Sequence, residues 1–429
     1  MWLLLILLFG LLAMSVPIGV ALGIASAAYI LIYTNMNPAM IPQSFFFFID
    51  SYTFMAVPFF MFAGYAMERT GLIDQLFDFA STCLGWVKVG LGVATVYTCM
   101  ILAAITGSSV AEASVMSAVA VPRMREKGYP DRLAAGIVCA GGSLGQLIPP
   151  SIWMILYGLI TETSIVSLFF AGIIPGIILS NLLVVTAMVY GYRAKLAVIP
   201  FDLKKALRGL KAGIVGLGMP VIVLGGLYGG VFTPTEAGAV AAAYAVCYGL
   251  VTRRWNFLKE LIPVTVQSLR LTAMVFFLVG SVGIFQAVAA NEYWPQKFAQ
   301  AVTHIGLSNL QFIFLYMFVL LILGCFLDGA AMILLTVPVI FPIAQSLGVN
   351  PIHLGILLVI NCEVGVITPP VGLNLFAVSG ISKIPINEVL MGSIPFVITI
   401  LLFLVLLVFY PEIATWLPGL MFKPVIFGG

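Results

Sequence analysis

The chain has 429 residues, of which 62% are hydrophobic and 8% are charged, where a soluble domain carries about 25% charged residues. So few charges cannot cover a water-facing surface of this length, which excludes a soluble globular protein and makes lipid the solvent for much of the chain. The net charge of +3 decides little, because the placement of the charges matters more than their sum.

At about 20 residues per span, the length admits about a dozen membrane segments. The opening run, MWLLLILLFGLLAMSVPIG, lacks a basic leader and stays apolar past Pro17 to Tyr33, so residues 2–33 read as retained membrane structure rather than a signal peptide. Further apolar segments follow at 45–67, 89–121, 133–160, 166–192, 212–231, 235–251, 264–290, 309–346, 351–381 and 387–410. All are expected to be helical, because lipid offers no partner to an open backbone. Before the third segment, Leu72, Ile73, Leu76, Phe77 and Phe79 interleave with Asp74, Gln75 and Asp78, the pattern of an amphipathic helix lying in the interface.

Several chemistries are excluded. His304 and His353 are the only histidines and form no H-E-x-x-H, and no Walker loop for ATP occurs. Cys83, Cys99, Cys139, Cys247, Cys325 and Cys362 contain no C-x-x-C and read as small buried hydrophobes. No organic cofactor and no nucleic-acid partner is expected, and no Ser-Lys, paired-Asp or His-metal arrangement for an intramembrane enzyme appears.

Landmarks recur along the chain. Pro17 and Pro234 open small-residue helices 217 apart. Gly64 and Gly280 lie 216 apart, as do Val121-Pro122 and Val337-Pro338. Pro130 and Pro351 are 221 apart, and Pro149-Pro150 and Pro369-Pro370 are 220 apart. The chain therefore reads as two copies of one unit, 1–192 and 212–411, joined by a basic cytoplasmic linker at 193–211 and followed by a tail at 412–429. With 89–121 and 309–346 as re-entrant hairpins, and 2–33 split near Pro17, one side collects Arg69, Lys88, Arg123, Arg125, Lys127, Arg132, Arg193, Lys195, Lys204, Lys205, Arg208, Lys211, Arg253, Arg254, Lys259 and Lys383. Only Lys297 and Lys423 fall on the other side, and Arg270 lies within a helix. Each copy then crosses an odd number of times, so the fold class is an all-α polytopic membrane protein of two inverted-topology repeats, as in many secondary transporters. A single tilted helix over 2–33 would place the N-terminus inside instead.

Four constellations carry chemistry. Gly107-Ser108-Ser109 suits the tip of the first hairpin, where helix ends and hydroxyls meet at membrane depth; the alternative is a continuous helix packed on a neighbour. Pro149-Pro150, in GGSLGQLIPPS, breaks the helix over 133–160 and frees carbonyls suited to a bare alkali cation, with Ser151 adding a hydroxyl. Asp328 stands at the second tip, 220 residues after Ser108, and is a functional candidate by default unless a basic partner pairs with it. Thr368, Pro369, Pro370 and Asn374 mark the second broken helix, over 351–381. Glu112 and Glu363 are open between structure and function, whereas Glu236 in TPTEAG suits a helix N-terminus.

The ordered set GSSVAEAS, LIPPS, FLDGAAMILLTVP and TPPVGLN, with SVPIGVALG and FTPTEAGA, resembles over essentially the whole chain the large membrane subunit of tripartite ATP-independent periplasmic (TRAP) transporters. The resemblance implies a scaffold plus an elevator-type transport domain in the bacterial inner membrane. It also implies a small four-helix membrane subunit, separate because the chain begins at MWLLL, and a soluble periplasmic substrate-binding protein. Substrates would be small organic acids such as C4-dicarboxylates or sialic acids, with two or more sodium ions as the coupling ions. Carried over, one sodium lies between Gly107, Ser108, Ser109 and the carbonyls near Gly145, Ile148 and Pro149. A second lies between Asp328, Gly329 and the carbonyls near Gly365, Thr368 and Pro369, with Asn374 close by. Substrate contacts fall to Ser108, Ser151, Asp328 and Asn374; the lack of paired arginines there leans towards a sialic-acid-like substrate. A self-sufficient sodium–anion symporter and a channel are the competing readings.

Overall fold

The computed structural model describes residues 2–421 apart from 15, 193, 195, 199–201, 254, 295, 298, 299 and 301–305, and describes only the backbone at 2, 203, 205, 206, 208–217 and 255. Arg193, Lys195, Arg254, His304, Lys423 and the side chains of Lys205, Arg208 and Lys211 therefore lie outside the described residues, as does the end of the expected tail, 422–429.

Among the described residues every regular element is helical. The chain opens with α1 (Trp2–Ala13), α2 (Ile18–Tyr33), α3 (Met40–Ile49), α4 (Ala56–Glu68) and α5 (Leu72–Leu84). The first hairpin is α6 (Gly90–Thr106) with α7 (Ser109–Glu126), and the first broken helix is α8 (Asp131–Gly142) with α9 (Ile152–Thr161). Then come α10 (Ile165–Gly191), α11 (Leu203–Tyr228), α12 (Pro234–Arg253) and α13 (Trp255–Asn291). The second hairpin is α14 (Asn309–Gly324) with α15 (Gly329–Ser346), the second broken helix α16 (Pro351–Val366) with α17 (Leu373–Ser382), and α18 (Ile386–Phe409) and α19 (Glu412–Met421) close the chain.

Three boundaries differ from the sequence reading. The segment over 45–67 is a helix pair bent by 60° about the polar residues Asp50 and Ser51. The linker over 193–211 is helical from Leu203, because LKKALRGLKAG is made largely of good helix formers. The tail is helical as α19, which packs on α10. Three cysteines also depart from expectation: Cys247 is exposed, since its side of α12 faces outward, and Cys83 and Cys325 are only half-buried, whereas Cys99, Cys139 and Cys362 are buried.

Four helices are individually long and apolar enough to cross a membrane among the described residues, namely α10, α13, α15 and α18, and a fifth span arises if α3 and α4 count as one. Most of the other apolar segments are interrupted or short, α12 with its 20 residues being long but rich in small and polar side chains. The 16 residues of α16 rise only about 24 Å, less than the roughly 30 Å hydrocarbon core, so these segments reach depth as paired halves.

Elements pair reciprocally across the two halves of the chain. Helix α2 packs on α13 while α4 packs on α12, and α7 packs on α17 while α15 packs on α9. Direction can be read from α18. Arg132, at the start of α8, bonds Glu388 in the first turn of α18. His353, at the start of α16, meets the Leu407 carbonyl in its last turn, Nε2 to O 2.8 Å. Helices α8 and α16 therefore begin at opposite ends of the molecule. Within the hairpins the tip-to-tip offset of 220 puts Pro122 in register with Pro342, also inside its helix, rather than with Pro338.

One end of the molecule gathers charge. Arg69 pairs with Glu260 at 3.5 Å, and Arg253 Nε donates to the Thr70 carbonyl, joining the α4–α5 corner to the α12–α13 corner. Helix α5 buries Leu72, Ile73, Leu76 and Phe77 and holds Arg123 of α7 through Asp74 and Asp78, as its amphipathic pattern requires. Arg125 joins Asp131 and the Ser382 carbonyl.

Candidate functional site

Both hairpins turn on a helix N-cap. Gly107 ends α6 in the left-handed conformation (φ +55°), and a Cβ there would stand 2.8 Å from the Pro150 carbonyl oxygen. Only glycine fits that combination. Ser108 then caps α7, its hydroxyl accepting from the Ala111 N–H at 3.5 Å. At the second tip Asp328 caps α15, accepting from the Ala331 N–H at 2.8 Å. Among the described residues no Lys or Arg pairs with Asp328, which removes the salt-bridge reading of that residue. Glu236 is a cap as expected: its carboxylate accepts from the Thr233 N–H at 2.8 Å.

The two breaks have matching geometry. Pro149-Pro150 and Pro369-Pro370 are both cis. Proline has no N–H, so the carbonyls four residues before Pro149 and Pro369, those of Gly145 and Gly365, lose their helical donor. Thr368 N–H reaches the Gly365 carbonyl at 3.2 Å instead. Past the breaks, Ser151 caps α9 by accepting from the Met154 N–H at 3.3 Å, and donates to Gln146 Oε1 at 3.2 Å. Asn374 is fully buried in the first turn of α17, and among the described residues neither its Oδ1 nor its Nδ2 has a hydrogen-bond partner.

Tips and breaks converge. Gly145 lies against the backbone of Ser108 and Ser109, and Gly107 against Pro150, so tip one sits on break one. Val371 N–H donates to the Cys325 carbonyl at 3.0 Å, tying break two to tip two. Trp153, in the first turn of α9, stacks so closely over Gly329 that a Cβ there would meet its ring at 2.2 Å. The structure thus brings together Gly107, Ser108, Ser109, Gly145 and Pro149 on one side, and Asp328, Gly329, Gly365, Thr368 and Pro369 on the other. Ile148 packs its side chain on Gly176 of α10, and its backbone adjoins the break at Pro149.

Sequence reasoning left three residues without a role. Gln146 Oε1 accepts from both Ser151 and the Trp153 N–H. Trp153 covers tip two. Glu363 accepts from Ser109 Oγ at 2.5 Å across 254 residues of sequence. Local pattern signals none of these, since each partner is brought from another element.

The surroundings of the tips differ. Ser108 faces Gly64, Tyr65 and Glu68 of α4 across a gap of about 20 Å³, room for about one water. Asp328 lies at one end of a cleft of about 850 Å³ between the second hairpin and α1, α2 and α13. No basic residue lines that cleft among the described residues.

Capped helix ends seated on paired proline breaks are the architecture of many secondary transporters. The solved structure of the Alcanivorax borkumensis YdaH transporter has a similar fold, with a TM-score of 0.59, 16% sequence identity and 87% of each chain covered. Residues 5–413 match the model of the tripartite ATP-independent periplasmic transporter, DctM component, and the chain belongs to that family. Among curated relatives, the C4-dicarboxylate TRAP transporter large permease protein DctM of Pseudomonas aeruginosa is 40% identical over 93% of this chain and 94% of its own length. The sialic acid TRAP transporter large permease protein SiaM of Vibrio cholerae is 31% identical over 96% of each. Membership of the family disfavours the self-sufficient symporter.

Proposed function

We propose that this chain imports a small organic acid across the bacterial inner membrane as the large subunit of a sodium-driven tripartite transporter. It would work with a small four-helix membrane subunit and a soluble periplasmic binding protein, and it is not an enzyme. The observation that carries the reading is the seating of two capped tips on two proline breaks, the second tip lining a cleft that has no basic residue among the described residues. An anion held there needs positive charge from elsewhere. Helix N-termini at Ser109 and Gly329 supply partial charge, and sodium ions supply the rest.

In this reading the first sodium is held by Gly107, Ser108, Ser109 and the carbonyls of Gly145, Ile148 and Pro149. The second is held by Asp328, Gly329 and the carbonyls of Gly365, Thr368 and Pro369. Carbonyls and hydroxyls are hard oxygen donors that can replace the ion's water. Substrate would bind between the tips, near Ser108, Ser151, Asp328 and Asn374, its carboxylate facing the ions. The opposed directions of α8 and α16 support two inverted copies. In these, α1–α4 with α11–α13 form a scaffold past which the hairpins and broken helices move as an elevator. The greater identity to the Pseudomonas aeruginosa relative favours a C4-dicarboxylate over the sialic-acid-like substrate that the missing arginines favour.

Uptake by proteoliposomes carrying this chain and its small partner tests the reading, with labelled succinate or sialic acid added with and without the binding protein. Succinate uptake that needs the binding protein is expected. Uptake without the binding protein contradicts the tripartite reading, and uptake of sialic acid alone reverses the choice of substrate.

A further inference from the structure

Glu112 and Glu363 are the fully buried carboxylates that the transport reading leaves without a task. Both are 0% exposed. Neither pairs with a Lys or Arg among the described residues, and Glu112 Oε1, Glu112 Oε2 and Glu363 Oε1 have no hydrogen-bond partner. Buried carboxylates in a membrane protein are costly, so what these two contact is informative. Their short contact is Ser109 Oγ to Glu363 Oε2 at 2.5 Å. Such a bond, closed off from water, is stronger than the same bond at a surface.

Three parts of the site meet around Glu363. Ser109 is the first residue of α7, at tip one. The turn over Ser143–Gln146, which carries Gly145 of break one, packs on α16, the helix that holds Glu363. Glu363 itself lies on α16, two residues before Gly365, whose backbone packs against Gly324 at the end of α14. Glu112 also lies against break one, its Oε2 2.8 Å from where a Cβ on Gly145 would stand. The Ser109 hydroxyl has one proton and two lone pairs. When its lone pairs turn to a cation, the proton must go to Glu363 or to the Gly142 carbonyl, 2.9 Å away.

We propose that Glu363 is a positioning residue that transmits cation occupancy from tip one to break two, so that the two sodium ions bind cooperatively. This rests on the two-sodium reading above. A cation at tip one fixes the Ser109 hydroxyl. The fixed hydroxyl holds Glu363, and Glu363 holds the end of α16 that presents the Gly365 carbonyl to the second ion.

The test is the sodium dependence of uptake in proteoliposomes containing this chain, its small subunit and the binding protein. The wild type should show a Hill coefficient above one for sodium. Glu363→Ala should bring it to one and raise half-saturating sodium about tenfold, the loss expected for one hydrogen bond to a charged group, with a smaller fall in maximal rate. Glu363→Gln, which keeps an acceptor oxygen in place, should restore cooperativity. A second arm needs no variant: on adding sodium to the wild type, hydrogen exchange should slow in residues 104–112 and 324–332 with one shared midpoint. Sodium-independent uptake by the wild type overturns the sodium reading itself. Sodium-dependent uptake with an unchanged Hill coefficient in Glu363→Ala, or two separate exchange midpoints in the wild type, overturns the role of Glu363 alone.

Discussion

Gly145 shows how little room a single position in the site has. A Cβ there would stand 2.9 Å from the Ser109 nitrogen and 3.0 Å from the Ser108 carbonyl carbon, both backbone atoms that cannot swing aside. Overpacking of this kind costs about 1–3 kcal/mol, so Gly145→Ala is expected to raise half-saturating sodium roughly ten- to a hundredfold in uptake assays; an unchanged value contradicts the placement of tip one. Asp131 illustrates a residue outside the site. Its bidentate bond to the Arg125 guanidinium, at 2.7 and 2.9 Å, holds its carboxyl below the ordinary range. Because the folded value is the lower one, the pair contributes stability at neutral pH that is lost as pH falls through that lowered value. Both side chains are about two-fifths exposed, so screening keeps the gain under about 1 kcal/mol. Asp131→Asn should melt slightly earlier than wild type at pH 7 in detergent, with the gap closing as the pH falls below the ordinary aspartate range; a gap constant with pH contradicts the ion pair. At this scale the sequence was legible where chemistry is local. Gly107, Ser108 and Asp328 announce caps, and Glu363 does not announce Ser109, because nothing at position 363 refers to position 109.

The proline breaks are the elements on which the site depends. Pro369 deprives the Gly365 carbonyl of its helical donor, and Pro369→Ala returns an N–H four residues after it. One regained backbone bond, worth about 1 kcal/mol, competes with the cation, and uptake at limiting sodium should fall about five- to tenfold while membrane insertion is unchanged; uptake equal to wild type contradicts a role for that carbonyl. Double prolines in apolar runs are a strong local signal, and both broken helices were legible from them. The bend between α3 and α4 was not, since a hydropathy window averages across Asp50 and Ser51. Nor was α19: EIATWLPGLM resembles a tail until α10 is there to pack against it.

The molecule as a whole is built by exchange between its halves, α2 with α13 and α4 with α12, and α7 with α17 and α15 with α9. Pairings of that kind join residues about 200 positions apart, and only the spacing of repeated prolines and glycines hinted at them. The charged end ties corners of both halves together through Arg69, Arg123, Arg125 and Arg132, which agrees with the side on which the sequence reading gathered its basic residues. In the proposed reading one cation set lies at each tip, with the substrate between them. Its central consequence is that sodium and substrate move together. Substrate-dependent entry of labelled sodium into proteoliposomes measures this directly, with the small subunit and binding protein present and succinate counted in parallel. The account predicts at least two sodium ions entering per substrate molecule; substrate entry with no accompanying sodium contradicts it.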